Sequence, residues 1–212
     1  MALYVDDDGG VRVTGQLRHV QNFAPLIDSD QLLQRDNQEY PIDLALARVW
    51  NAVNTNLPGT AATDDLEYNG GTFGTNAPSI QTGDLKTGES GGTTRYARIQ
   101  VNLPPEYEAG QTVTLRFSAG MITTVADASA TLDVECHLND EDNTVSADLC
   151  ATAAQSINSV TFADKDFTIT AATLSPGDVL DVRIAIAVTD AATGTAVIGC
   201  VATMKRVCDT RG

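Results

Sequence analysis

The sequence predicts an all-β protein: an antiparallel β-sandwich or jelly-roll-like domain carrying an extended, mostly irregular N-terminal arm. Three observations predict it. Between Arg95 and Met121 two runs alternate strictly, Ile99/Val101/Leu103 and Val113/Leu115/Phe117, on either side of a Pro-Pro and Ala-Gly turn segment; each reads as a strand with one buried face. Further runs of this kind recur to the end of the chain with polar turns between them. Helix-period stretches are absent from that half.

In chain order, residues 1–38 hold DDDGG, scattered apolar residues and DSDQLLQRDNQEY. This is too little periodic hydrophobicity to build a core, so the segment reads as an arm that orders on a partner, with a weak helical tendency over Asp30–Gln38. Residues 39–94 form a connecting region packed on the sandwich. Within it Pro41–Val53 is apolar and undecided between strand and short helix, and from Leu57 the composition turns to Gly, Thr, Asn and Asp, which is loop chemistry with short strands at best. Residues 95–212 are the sandwich proper, and 39–212 reads as one structural domain. After the opening runs come Thr131–Leu138, Val160–Phe162, Phe167–Thr170, Val179–Val188 and Ala196–Val207. In Leu180–Val188 the apolar residues alternate with Asp181, Arg183, Ala185 and Ala187. The two alanines permit close packing, which makes Ala185 and Ala187 candidates for a subunit interface or a contact with the opposing sheet.

Charge narrows the function classes. The net charge is −15 and only three lysines occur, Lys86, Lys165 and Lys205. That field repels a polyanion, so no nucleic-acid partner is expected; it also favours solubility at high local concentration. The start MALYVDDDGG is acidic where a signal peptide needs positive charge, and no apolar run reaches membrane-spanning length, so neither export by a leader nor a membrane partner is expected. Cys136, Cys150, Cys200 and Cys208 lack C-x-x-C spacing and form neither a zinc pattern nor a disulfide framework; Cys136 and Cys200 fall in apolar strand runs and read as buried thiols.

Apparent motifs fail on context. Gly88-Glu89-Ser90-Gly91-Gly92 matches G-x-S-x-G, but a nucleophile elbow leads into a helix and this one leads into a strand. Gly83 to Ser90 mimics a phosphate loop with Glu89 where lysine is required, and a carboxylate repels phosphate. Asp140, Asp142 and Asp148 are weak calcium candidates, because Val145 and Ala151 stand where an EF-hand needs its Gly and bidentate Glu. His137 falls on the more exposed face of a strand with no evident partner. Glu106 and Glu108 read as solvated charge rather than a facing glycosidase pair. No catalytic residue, metal or cofactor is expected.

The segments LPGTAATDDL (57–66), GTFGTNAPSIQTGDLK (71–86), RYARIQVNLPPEYEAGQTVTLRFSAGMITTVADASATLDVE (95–135), DLCATAAQSINSVTFADKDFTIT (148–170) and LSPGDVLDVRIAIAVTDAATGTAVIG (174–199) resemble a family of virion proteins of tailed phages of aquatic bacteria. The resemblance implies a β-sandwich that trimerises on the outside of the capsid as a decoration or cement protein, assembled in the bacterial cytoplasm. Its partners would be the major capsid protein and copies of itself. Arg12, Leu17, Phe23, Leu26 and Ile27 in the arm are then the candidate capsid contacts. The rival expectation is a tail-fibre component or carbohydrate-binding sandwich using Tyr68, Phe73, Tyr96 and Tyr107, which are dispersed in the sequence.

Overall fold

The computed structural model describes residues 2–5, 11–14, 26–28, 31–33, 35–86, 92–140, 142–191 and 194–211. The chain divides into two compact units, one ending at Arg35 and one spanning Asp36–Arg211.

The first unit holds two short antiparallel hairpins: β1 (Ala2–Val5) with β2 (Val11–Thr14), and β3 (Leu26–Asp28) with β4 (Gln31–Leu33). The sequence reading assigned no strands here. Four-residue segments such as ALYV and VRVT are too short to show a period, yet their Val, Tyr and Leu content favours extended backbone. Arg12 lies opposite Tyr4, and Leu26 and Ile27 lie opposite Leu33 and Leu32. Leu17 and Phe23 fall outside the described residues.

The second unit is the sandwich. It begins with β5 (Arg35–Ile42), a strand where a helical tendency was read, and a single 3-10 turn, Leu44–Leu46, capped by Asp43, whose carboxylate accepts from the Ala45 amide at 2.9 Å. There follow β6 (Arg48–Val49), β7 (Ala52–Asn56), β8 (Glu67–Asn69), β9 (Ser79–Gln81), β10 (Thr93–Asn102), β11 (Val113–Met121) and β12 (Ser129–Asp140). The remainder are β13 (Thr144–Val145), β14 (Gln155–Ser156), β15 (Ala163–Ile169), β16 (Val179–Thr189) and β17 (Gly199–Arg211). One sheet of seven strands runs β13-β12-β16-β10-β6-β7 with β14 also on β12. The other, of six, runs β15-β11-β17-β9-β8 with β5 also on β17. The two alternating runs that dominate the sequence are therefore not a hairpin: β10 and β11 belong to opposite sheets, and the Pro-Pro segment carries the chain across.

Alternation builds the core directly. The odd positions of β10 (Ala97, Ile99, Val101) and the even positions of β16 (Leu180, Val182, Ile184, Ile186, Val188) are all buried. They face Val113, Leu115 and Phe117 of β11 and Phe167 of β15, which are also buried. Phe117 and Phe167 meet edge-to-face with centroids 5.7 Å apart, a favoured ring geometry, and each such buried side chain contributes roughly 1.5–3 kcal/mol. Gly199 keeps the sheets close, since a Cβ there would lie 2.8 Å from the Ile186 side chain. The β11–β17 ladder shifts register between Ser118 and Ala119, which pair with Thr203 and Val201 and leave Ala202 as the extra residue. This bulge breaks the alternation of β17. Val160–Phe162, read as a strand, is a bend, and the strand starts at Ala163 instead. Among the described residues no helix is long and apolar enough to cross a membrane.

Candidate functional site

The period of two that buries one face of β10, β16 and β12 turns their polar residues outward. Register then sets these residues in rows: Thr94–Ala187–Thr131, Tyr96–Ala185–Asp133, Arg98–Arg183–Glu135 and Gln100–Asp181–His137. Two arginines directly opposite one another would repel. The structure resolves this along the diagonals and the row. Arg98 donates through Nε to Asp181 Oδ1 at 2.6 Å and through Nη2 to Oδ2, a bidentate pair, while Arg183 pairs with Glu135. His137 completes the ladder, with Nε2 3.5 Å from Glu135 Oε1 and Nδ1 2.9 Å from the Ser146 carbonyl. The hydrogen bond to Asp181 pushes the Arg98 guanidinium further above its usual pKa, against the opposing effect of burial.

An aromatic pair closes one end. Trp50, in the turn between β6 and β7, is anchored by donating from Nε1 to Asp64 Oδ2 at 3.1 Å. Its ring lies 5.3 Å from that of Tyr96 at an interplanar angle of 49°. Tyr96 is fixed in turn because its amide donates to the Asp64 carbonyl and its carbonyl accepts from Leu66. The Arg183 guanidinium sits 5.8 Å from the Trp50 ring centroid and 5.2 Å from that of Tyr96, within cation–π range. Beside Asp64, Asp65 has its pKa raised, first by burial and then by the Asp64 charge. Trp50, Arg98, Glu135, His137, Asp181 and Arg183 enclose a shallow cleft of about 210 Å³. It contains no Ser, Thr, Cys or Lys to act as a nucleophile, and each carboxylate is held by a guanidinium. What it offers is a planar aromatic edge and a file of fixed donors and acceptors.

The residues singled out in the sequence are mostly scattered. Ala185 and Ala187 lie half-buried on this outer face, between Tyr96 and Asp133 and between Thr94 and Thr131. Asp142 is exposed and accepts from the Thr144 amide and hydroxyl, which hold its pKa below the usual carboxylate range. Asp148 accepts from the amides of Cys136 and Cys150, each at 2.9 Å, and so staples a turn to β12. Asp140 is half-buried at the end of β12. Among the described residues no group of three or more His, Cys, Asp or Glu side chains could hold a metal ion. Gly88, Glu89, Ser90 and Gly91 fall outside the described residues. His137, read as lacking a partner, has two.

Two acidic and aromatic readings are corrected by burial. Glu108 is only 5% exposed, because its amide donates to the Asp209 carbonyl and draws the Pro-Pro segment onto β17; Glu106 stays exposed. Tyr107 is a core residue, and its hydroxyl donates to the Gln111 carbonyl. Burial also pushes its pKa up to about 12. All four cysteines are free, with Cys136, Cys200 and Cys208 buried, and burial pushes the Cys200 thiol up to about 11. Sequence reasoning missed Trp50 and the ladder. Alternation alone would place Tyr96, Arg98, Asp181 and Arg183 on outward faces, but no local signal brings Trp50 to them.

No protein-family model matches the sequence, and no curated protein matches it. Among solved structures, the chain is similar to a family 16 carbohydrate-binding module at a TM-score of 0.37 and 15% identity, over 70% of this chain and 88% of that one. It is similar to the enzymatically active domain of tailspike protein 4 of bacteriophage CBA120 at 0.35 and 11%, over 84% of this chain and 19% of that one. It is also similar to a chain of the infectious bursal disease virus Gt strain at 0.37 and 13%, over all of this chain and 42% of that one.

Proposed function

We propose that this protein is a non-catalytic structural component of a phage virion, carried on the outside of the head, where it binds the major capsid protein and copies of itself, as a trimer, and reinforces the lattice. The observation that carries the reading is the outer sheet face: its guanidinium and carboxylate groups are spent on one another, which leaves a stiff docking surface and no group poised to react. The virion setting is supported by the resemblance carried by the segments between residues 57 and 199 and by the net charge of −15, which disfavours the DNA-filled interior. Many weak contacts engaged together suffice on a lattice. The test is co-sedimentation of the purified protein with heads that lack it, using the full chain and a chain without residues 1–35. Saturable binding by the full chain, weakened by the deletion, is expected; absence of binding by the full chain overturns the reading.

A second reading is favoured by one observation, the Trp50–Tyr96 pair at the edge of a polar cleft. Rings beside paired donors and acceptors suit a glycan. Trp50 is the one tryptophan in the chain, so its fluorescence reports the cleft directly. A saturable change with an oligosaccharide, lost in Tyr96→Ala, which keeps the Trp50 reporter, supports glycan binding, and an unchanged spectrum across a glycan panel rejects it.

A further inference from the structure

Phe73 is 106% exposed, fully in solvent, at the tip of the β8–β9 loop. This is not a frayed loop. Gly71 takes φ 70°, and a Cβ there would come within 2.3 Å of the Asn76 carbonyl oxygen. Asn69 Oδ1 accepts from the Gly71 amide at 2.9 Å, and the Thr72 carbonyl accepts from Thr75 at 2.8 Å and Asn76 at 2.9 Å. A rigid turn thus holds a large apolar ring in water. Against the same loop lies a groove of about 640 Å³ in which Ile122, Phe162, Ile198 and Ala202, the last put there by the β17 bulge, stand beside uncharged polar residues such as Asn69, Thr75 and Gln81.

Charge makes this surface singular. The chain has 28 acidic and 13 basic residues, yet none lines the groove, and Tyr68–Thr82, Ser118–Val125, Gln155–Phe162 and Gly194–Met204 contain none at all. A basic partner would be matched by an acidic patch. An uncharged one is what two copies of a −15 protein need in order to meet without repulsion. Knob and groove belong to one chain, so each copy can give its knob to one neighbour and receive the knob of another, a head-to-tail contact of the kind that closes into a ring of three.

From these features we infer that copies of this chain associate through this surface, Phe73 of one copy entering the Ile122/Phe162/Ile198 groove of the next. The inference deepens the self-assembly part of the reading above and rests on it, but not on attachment to a head. It also places the contact on the six-stranded sheet, away from Ala185 and Ala187. The ring and its turn are already ordered, so docking costs little conformational entropy, and an aromatic anchor in an apolar pocket is the usual energetic centre of an interface.

The test is sedimentation of the isolated full chain across a concentration series, with Phe73→Ser, Ile122→Asp and Ala185→Arg alongside. Because Phe73 has no contact to lose, Phe73→Ser should fold as the parent does, checked by circular dichroism. The parent is expected to associate, Phe73→Ser and Ile122→Asp each to weaken association at least about thirtyfold, the scale of a hot-spot truncation, and Ala185→Arg to leave it unchanged. A parent that stays monomeric overturns the inference, as does association that survives Phe73→Ser or is lost only in Ala185→Arg. If the parent is monomeric but Phe73→Ser abolishes binding to heads, the surface docks on the capsid and the self-contact is rejected while the virion reading stands.

Discussion

The outer face of the seven-stranded sheet and the surface around Phe73 are built on opposite terms. On the first, strongly solvated groups are brought together and matched: Arg98 with Asp181, Arg183 with Glu135, and Trp50 with Tyr96. On the second, an aromatic ring is displayed beside a groove whose lining is uncharged and partly apolar. The first is held stiff by contacts within one chain, whereas the second leaves apolar side chains without a partner in the chain. The difference teaches where exposure carries information. A single exposed apolar side chain is ordinary, whereas a fully exposed ring beside further exposed or half-buried apolar residues is informative. Two phenylalanines make the contrast sharp, since Phe117 is wholly buried against Phe167 and Phe73 is wholly exposed.

The largest expected effect tests the buried member. Phe117→Ala should destabilise the protein by about 3–5 kcal/mol, through lost burial and the cavity left beside Phe167, read as a lower midpoint in urea. A loss under about 1 kcal/mol would mean the core repacks and that burial of Phe117 is not what holds the sheets together. Next comes the matched face. The Asp181 side chain is 12% exposed and that of Arg98 31%, so Arg98→Ala strands a carboxylate in a partly desolvated place and should cost about 1–3 kcal/mol. The double variant Arg98→Ala/Asp181→Ala should be less destabilised than the sum of the singles. Simple additivity would show that the two groups are merely neighbours.

How much of this was legible follows from the same contrast. The burial of Ile99, Val101, Val113, Leu115 and Phe117, and the all-β sandwich they imply, can be read because period-two alternation is a local property of the chain. Sheet membership cannot. Nothing between Leu103 and Gln111 says that β10 and β11 separate into different sheets, and that crossing is what buries Tyr107 and Glu108. The bulge at Ala202 is likewise set by the mismatch between two distant strands, so the β17 sequence shows only a broken alternation. Trp50 reaches Tyr96 across 46 residues because Asp64, in a separate turn between Ala62 and Asp65, holds both. Phe73 sits in a stretch of Gly, Thr and Asn that announces a turn but not that its ring faces water.

A smaller effect, with a pH signature, lies at the charged end of the six-stranded sheet. There Arg116 holds Asp166 through two bonds of 2.7 and 2.8 Å and Glu39 through one of 2.7 Å, and Lys205 donates to the other Glu39 oxygen at 2.7 Å. The hydrogen bond from Arg116 is the main cause holding Asp166 below its usual 3.8. The hydrogen bond from Lys205, ahead of the charge of Arg116, holds Glu39 below 4.5. Because both folded-state values are depressed, the stabilisation is complete above the unfolded values and is lost as pH falls through the folded ones. The urea midpoint of the parent should therefore exceed that of Arg116→Ala at pH 6, and the gap should close as pH drops below about 4. These pairs are exposed, so 1 M salt should also narrow the gap at pH 6. A gap that does not narrow at all between pH 6 and pH 2.5 would assign the effect to packing of the Arg116 stem rather than its charge.

The smallest expected effect is the most telling for the comparison. Measured at a concentration where the chain is monomeric, Phe73→Ser should change stability by less than about 0.5 kcal/mol, as for a surface substitution that touches no cap, core or network. Its turn is fixed by Gly71, Asn69 and the Thr72 carbonyl, none of which involves the ring. Gly71→Ala should by contrast unsettle the loop, because the new methyl meets the Asn76 carbonyl oxygen and the backbone lies at φ 70°, and it should weaken association even though Phe73 is still present. A Phe73→Ser variant that melts well below the parent would mean that the ring supports its own loop. Its exposure would then be a property of folding, and the two faces would differ in composition without differing in purpose.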